Sequence, residues 1–409
     1  METQSSRVSH PDIPTWLVIG SGILALAVAM GIGRFAFTPL MPLMLRDGTL
    51  TATSGAEWAA ANYGGYLAGA LTAAWFSGNP QGGLRWALVG VALSTLAIAA
   101  VGDGTASVLL GAILRAAAGV FSAWALVCAS SWCLGELARR REPQWGAWIY
   151  TGVGLGIVLA GMLAWLGGRQ PAHWLWLELG LVALAAASAV GVVLRGHGRR
   201  RAAPAARAVS DPPVQGPGHL PLVFCYGAMG FGYILPATFL PAMAREQVSD
   251  PLIFGITWPV FGLAAALSVA VAARWLSSWP RRKVWALAQA AMAVGTALPL
   301  VTEALWALAA SATLVGGTVV VVTMAGLQMA RELVPANPTP LQARMTVAFA
   351  SGQIAGPLVV RVLTGSEAAG FDALQLANAA AAGLLALTAA WLWHGRGRDP
   401  AREHHGAGP

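Results

Sequence analysis

Residues 31–44 read Gly-Ile-Gly-Arg-Phe-Ala-Phe-Thr-Pro-Leu-Met-Pro-Leu-Met. Residues 230–243 read Gly-Phe-Gly-Tyr-Ile-Leu-Pro-Ala-Thr-Phe-Leu-Pro-Ala-Met. At an offset of 199 both glycines, the second proline and the methionine coincide. Leu67-Ala-Gly-Ala-Leu71 matches Leu263-Ala-Ala-Ala-Leu267 at 196, and Gly152 and Gly156 match Gly352 and Gly356 at 200. One unit therefore occurs twice in the 409-residue chain.

The unit is a membrane unit. Hydrophobic residues make up 56% of the chain and charged residues 10%, where a soluble protein carries about 25% charged. Apolar runs long enough to cross a bilayer recur throughout. In lipid they must be helical, because only a helix satisfies its own backbone. The sequence predicts spans near 15–43, 56–77, 84–102, 106–134, 145–167, 174–194, 220–244, 252–276, 283–302, 304–332, 341–364 and 372–394. The longest polar break, 195–219, carries Arg195, Arg199, Arg200, Arg201 and Arg207 among prolines. It reads as a basic linker between a six-helix lobe over 1–194 and a second lobe with its tail over 220–409.

Lys and Arg set the orientation. With both termini inside, 19 of the 25 basic residues fall in inside segments, and only Arg46, Arg169 and Arg245 fall outside. The net charge of +8 thus reflects topology, and no basic face for nucleic acid is present. Residues 1–14 are polar and lead into a full span, so no cleaved leader is expected. Cys128, Cys133 and Cys225 lie inside apolar runs without metal-ligand spacing, and read as small packing residues. No His/Asp/Glu cluster, nucleophile–base pair or nucleotide loop sits at helical spacing. An enzyme is not expected, and no cofactor or metal is called for.

Gly31–Met44, Asn62-Tyr63-Gly64-Gly65-Tyr66 and the Gly230–Pro241 stretch together resemble the major facilitator superfamily, in its YbfB/YjiJ-like branch. That resemblance implies twelve transmembrane helices in two lobes, a bacterial inner-membrane permease or exporter, and a binding cavity between the lobes. Where the family usually has Gly-x-x-x-Asp-Arg-x-Gly-Arg-Arg, residues 78–85 read Gly-Asn-Pro-Gln-Gly-Gly-Leu-Arg, without the acid. Arg115 and Gly119 are similar to the family's fourth-span motif. Gly152, Gly156 and Gly161 are similar to its antiporter motif, with the proline and one glycine replaced by Ile157 and Ala160; Gly352, Gly356 and Pro357 occupy the eleventh span. Export by antiport follows as an expectation. Independently of any family, Gly at i and i+4 lets helices approach closely, either for static packing or for sliding.

Arg34, Arg115 and Arg361 lie within spans. An arginine at membrane depth costs at least about 2.5–3.5 kcal/mol, so each should face the bundle interior. Acidic partners are scarce, with Glu178 the deepest. Guanidinium geometry suits an anionic substrate, or the arginines bond backbone carbonyls as structural locks. Arg115 reads as a lock and Arg34 as a substrate residue. Asn62, Tyr63, Tyr66, Tyr233, Thr238, Gln328 and Gln353 complete the candidate cavity with Arg34 and Arg361. The expected partners are a small solute and the bilayer; the chain is expected to be monomeric, and a coupling proton stays open. A receptor or assembly factor on the same fold is the alternative.

Overall fold

The computed structural model describes residues 13–102, 104–200, 219–247, 251–302, 304–363 and 373–395. Every element is helical among them. In chain order they are α1 (Thr15–Arg46), α2 (Ala52–Thr72), α3 (Pro80–Ile98), α4 (Thr105–Arg139), α5 (Thr151–Leu166), α6 (Ala172–Arg200), α7 (Leu220–Gln247), α8 (Pro251–Trp275), α9 (Arg281–Val301), α10 (Leu305–Leu333), α11 (Thr339–Leu363) and α12 (Ala373–His394). A 3-10 stretch, Pro143–Tyr150, leads into α5.

Several helices outrun their apolar cores, and polar side chains explain the extensions of α2, α3 and α4. α2 starts four residues before its expected boundary because Thr51 and Ser54 form a reciprocal capping box, which satisfies two otherwise orphaned donors. Asn79 accepts from Gly82 N and Pro80 opens α3, a favoured start. α4 continues past residue 134, where Glu136 pairs with Arg139 and Arg140 at i+3 and i+4. α6 runs to Arg200, so the first residues of the expected linker are helical. Residues 201–218 lie outside the described residues.

The packing repeats as the sequence does. In the first lobe α1 packs on α5 and α6, α2 on α4, and α3 on α4 and α6. Adding six to each number gives α7 on α11 and α12, α8 on α10, and α9 on α10 and α12, all of which also pack. Between lobes, α2 meets α11 and α5 meets α8. The same operation exchanges these two contacts, so the lobes are related by a pseudo-two-fold axis.

Among the described residues, ten helices are long and apolar enough to cross a membrane. The two below that threshold are α2 and α11, which face each other across the lobe boundary. Their polar content, including Asn62, Thr346 and Gln353, points inward rather than at lipid. Outside, large apolar residues such as Leu71, Leu181 and Leu387 are exposed, as a lipid-facing surface requires. Exposed tryptophans at Trp16, Trp75, Trp275 and Trp306 mark helix ends, in the manner of an interfacial belt.

Candidate functional site

The first helix is irregular where its glycines lie. Residues Ala27–Phe35 form a π-helical segment, a feature that opens the backbone ladder. At π spacing the carbonyl of Arg34 would take its bond from residue 39, which is proline and has no N–H. The structure supplies other donors. Arg115 Nη1 donates to Gly33 O at 3.0 Å and Nη2 to Arg34 O at 3.3 Å. Ser122 Oγ donates to Ala29 O at 2.7 Å. Asn62 Nδ2 donates to Arg115 O at 2.9 Å. Arg115 and Asn62 therefore hold α1, α2 and α4 together around the opened turn.

Glycine is required there by close approach. A Cβ on Gly31 would stand 2.3 Å from Gly156 Cα, and one on Gly33 would stand 2.6 Å from Ser122 Oγ. Gly152 meets Ile23 O, Gly119 meets Asn62 O, and Gly352 meets Gly227 O and Phe231 N. Gly356 meets the Ile234 side chain, and Pro357 follows it inside α11. These positions pack helices within a lobe. The boundary between lobes runs through other small residues: Gly154 against Ala266, Gly161 against Pro259, and Gly262 against Val158.

The opened turn projects Arg34 into the middle of the bundle, where it is 3% exposed. Its guanidinium carbon lies 4.0 Å from the Tyr66 ring centroid, 5.4 Å from Phe349, 5.5 Å from Phe35 and 5.8 Å from Tyr63. Arg34 Nη2 donates to Gln353 Oε1 of the opposite lobe. Arg34 Nε and Nη1, Tyr66 OH and Gln353 Nε2 are buried without a hydrogen-bond partner among the described residues. Nor does any described carboxylate form an ion pair with Arg34 or Arg115. Buried polar groups are normally satisfied, so this cluster of unpaired donors around one buried cation is unusual.

The candidate residues thus fall into three groups. Arg34, Tyr63, Tyr66 and Gln353 converge, and Tyr233 joins them by stacking on Phe349 at 6.0 Å between centroids. Asn62 and Arg115 brace the backbone behind them. Gln328 of α10 sits beside Gly146, where a Cβ would stand 3.5 Å from its Nε2. Thr238 and Arg361 lie in α7 and α11, and their side chains fall outside the described residues.

Two features were not singled out from the sequence. Phe35 and Phe349 belong to the site, but an aromatic in an apolar run looks like any core residue. The second is a polar seam at one end of the bundle. There Ser131 of α4 meets Thr339 Oγ1 at 2.7 Å and donates to Gln342 Oε1 at 2.7 Å, both on α11. Gln342 Nε2 donates to Leu327 O of α10 at 3.1 Å. Ala73, Val127 and Ala343 pack beside it. Glu136, 4% exposed, sits at the same end with Arg139 and Arg140 bound to it.

Comparisons with known proteins agree with this architecture. Residues 26–392 match the family described as uncharacterised MFS-type transporter YbfB. Among solved structures the chain is similar to the crystal structure of the human organic anion transporter MFSD10 (TETRAN), at 16% identity and a TM-score of 0.68, over 93% of this chain and all of that one. No curated protein matches the sequence.

Proposed function

The chain belongs to the YbfB family of MFS-type membrane transporters, and on that premise we propose that it carries a small organic anion by alternating access, binding it at Arg34. The observation that carries the reading is the buried Arg34 guanidinium, with two unpaired nitrogens and no ion pair to a described carboxylate. A desolvated cation is costly unless paired. An anion entering between the lobes supplies the charge and the acceptors together. The likeness to the human organic anion transporter concerns the fold; the anionic reading rests on Arg34.

Alternating access is supported by the two contact surfaces between lobes. The Ser131–Thr339–Gln342 seam ties the lobes together at one end, and alternating access would require it to part. The charge bias of 19 inside to 3 outside supports a bacterial inner-membrane protein with that sealed end and both termini facing the cytoplasm. The glycines of α5 favour exchange of one solute for another, with a proton as the coupling ion to test. A single copy carries the complete site, in keeping with a monomer.

Purified protein tested for thermal stabilisation by organic anions, amines and neutral solutes decides the reading. A ligand at 100 times its Kd stabilises by about 2.7 kcal/mol. Anions should raise the melting midpoint of the wild type and leave Arg34→Gln unmoved. Stabilisation by amines or neutral solutes alone, or an anion shift that survives Arg34→Gln, contradicts it.

A further inference from the structure

We infer that the anion is a flat monocarboxylate, with its charge on an aromatic or similarly apolar ring. This rests on the proposed anion site and specifies what that site selects.

The surroundings of Arg34 are ring faces. Phe35, Tyr63 and Tyr66 of the first lobe and Phe349 of the second contact its guanidinium, and Tyr226 and Tyr233 of the second lobe join them through Phe349. Phe349 connects the set: it meets Tyr66 edge-on at 6.3 Å and 72°, stacks on Tyr233 at 17°, and lies 5.9 Å from Tyr226. The chain has five tyrosines, and four of them are in this cluster. The fifth, Tyr150, bonds to Ser130 at 2.9 Å instead. The rings of both lobes meet at Tyr66 and Phe349, where a substrate would enter as the lobes part.

The cluster holds one cation with an unpaired terminal nitrogen, Arg34, which sets the charge at one carboxylate. The unpaired donors are Arg34 Nε and Nη1, Gln353 Nε2 and Tyr66 OH. These four atoms carry six donor hydrogens, enough to saturate the roughly four acceptor sites of one carboxylate. Arg115 is committed to the backbone, because both terminal nitrogens serve the carbonyls of Gly33 and Arg34 and only its Nε is unpaired. A dicarboxylate would leave one charge among ring faces, and a sugar acid would leave hydroxyls unpaired there; both are costly. Acetate would satisfy Arg34 and leave the rings without a stacking partner. A ring carboxylate satisfies both, and offset or edge-on ring contacts favour it further.

The test measures Kd for the full-length protein from the concentration dependence of thermal stabilisation. The probes are benzoate, phenylacetate and cinnamate against acetate, succinate, gluconate and inorganic phosphate, with benzylamine and benzyl alcohol as charge controls. At least one ring acid should bind about tenfold tighter than every other probe, the scale of a favourable aromatic contact. Phe349→Leu keeps apolar volume and removes the ring; it should erase that preference without abolishing carboxylate binding. Phe349→Ala should do the same if it folds. Arg34→Gln should remove binding of all the acids. If succinate, gluconate, phosphate or acetate binds as tightly as every ring acid, or no ring acid binds, the inference is overturned. Binding of those other anions would leave the anion site standing. Binding of benzylamine or benzyl alcohol in place of any anion overturns both. Full ring preference in folded Phe349→Leu also overturns the inference.

Discussion

Arg34 on α1 donates a hydrogen bond to Gln353 on α11, 319 residues away in the chain. The bond joins the two lobes at their shared centre, and it is made by a residue whose repeat mate, Tyr233, is uncharged. The lobes share their packing, and among the described side chains the arginines buried within the spans, Arg34 and Arg115, both belong to the first lobe. A site built from that difference can bind an asymmetric solute, with its charged end toward the first lobe.

Arg34 and Arg115 should separate function from stability. Arg115 supplies two bonds to backbone carbonyls of the π-helical segment. Hydrogen bonds from a charged group contribute about 1.5–3 kcal/mol each. Arg115→Leu should therefore lower the thermal midpoint of purified protein by several degrees. Arg34 keeps two donors unpaired, and Arg34→Leu should leave the midpoint unchanged or raise it, as at other sites where stability yields to function. The reverse order of midpoints would show that Arg34 is the structural residue.

Gly156 and Gly64 give an internal control. A Cβ on Gly156 would stand 2.4 Å from Ala27 O and 2.9 Å from Gly31 Cα, both backbone atoms. Gly156→Ala should destabilise by about 1–3 kcal/mol through overpacking. Gly64 has nothing within 4 Å of its Cβ position, and Gly64→Ala should be neutral or stabilising by up to about 1 kcal/mol. Equal midpoints for the two variants would refute the close α1–α5 crossing.

Much of this architecture is legible in the sequence because hydropathy and basic residues report on the solvent around each segment. The repeat offsets foreshadow the doubled packing pattern, and Gly31, Gly33 and Pro39 foreshadow the opened turn of α1. The expected helix ends at 56, 84 and 134 fall short because hydropathy follows lipid contact, whereas Thr51, Asn79 and Glu136 extend helices by local polar bonds. Within the site, Arg34, Tyr66 and Gln353 stand out as polar residues in apolar runs. Phe349 does not, since burying a phenylalanine needs no special explanation. The Ser131–Gln342 seam is also hidden: it pairs residues 211 apart, and no local pattern encodes which serine meets which glutamine.

The seam should behave as a gate. With Cys128, Cys133 and Cys225 replaced by alanine, Ser131→Cys combined with Thr339→Cys should cross-link on mild oxidation, since the native hydroxyls are 2.7 Å apart. Substrate uptake should stop on oxidation and return on reduction. Undiminished uptake by the fully cross-linked protein would mean that this end never opens.

Orientation can be read with reporter fusions. A reporter placed after Gly395 should be active on the cytoplasmic side. One inserted at Gly104, whose φ of 103° marks a tight turn, should be active on the opposite side. The same side for both would overturn the topology drawn from the basic residues.

The most direct measurement is uptake, by wild-type and Arg34→Gln proteoliposomes, of whichever organic acid most stabilises the purified protein. Wild type should show saturable uptake. Arg34→Gln, folded and equally stable, should lose at least about thirtyfold in kcat/KM, matching the 2 kcal/mol or more expected when a buried charge loses its partner. Wild-type uptake by folded Arg34→Gln would contradict an anion site at Arg34.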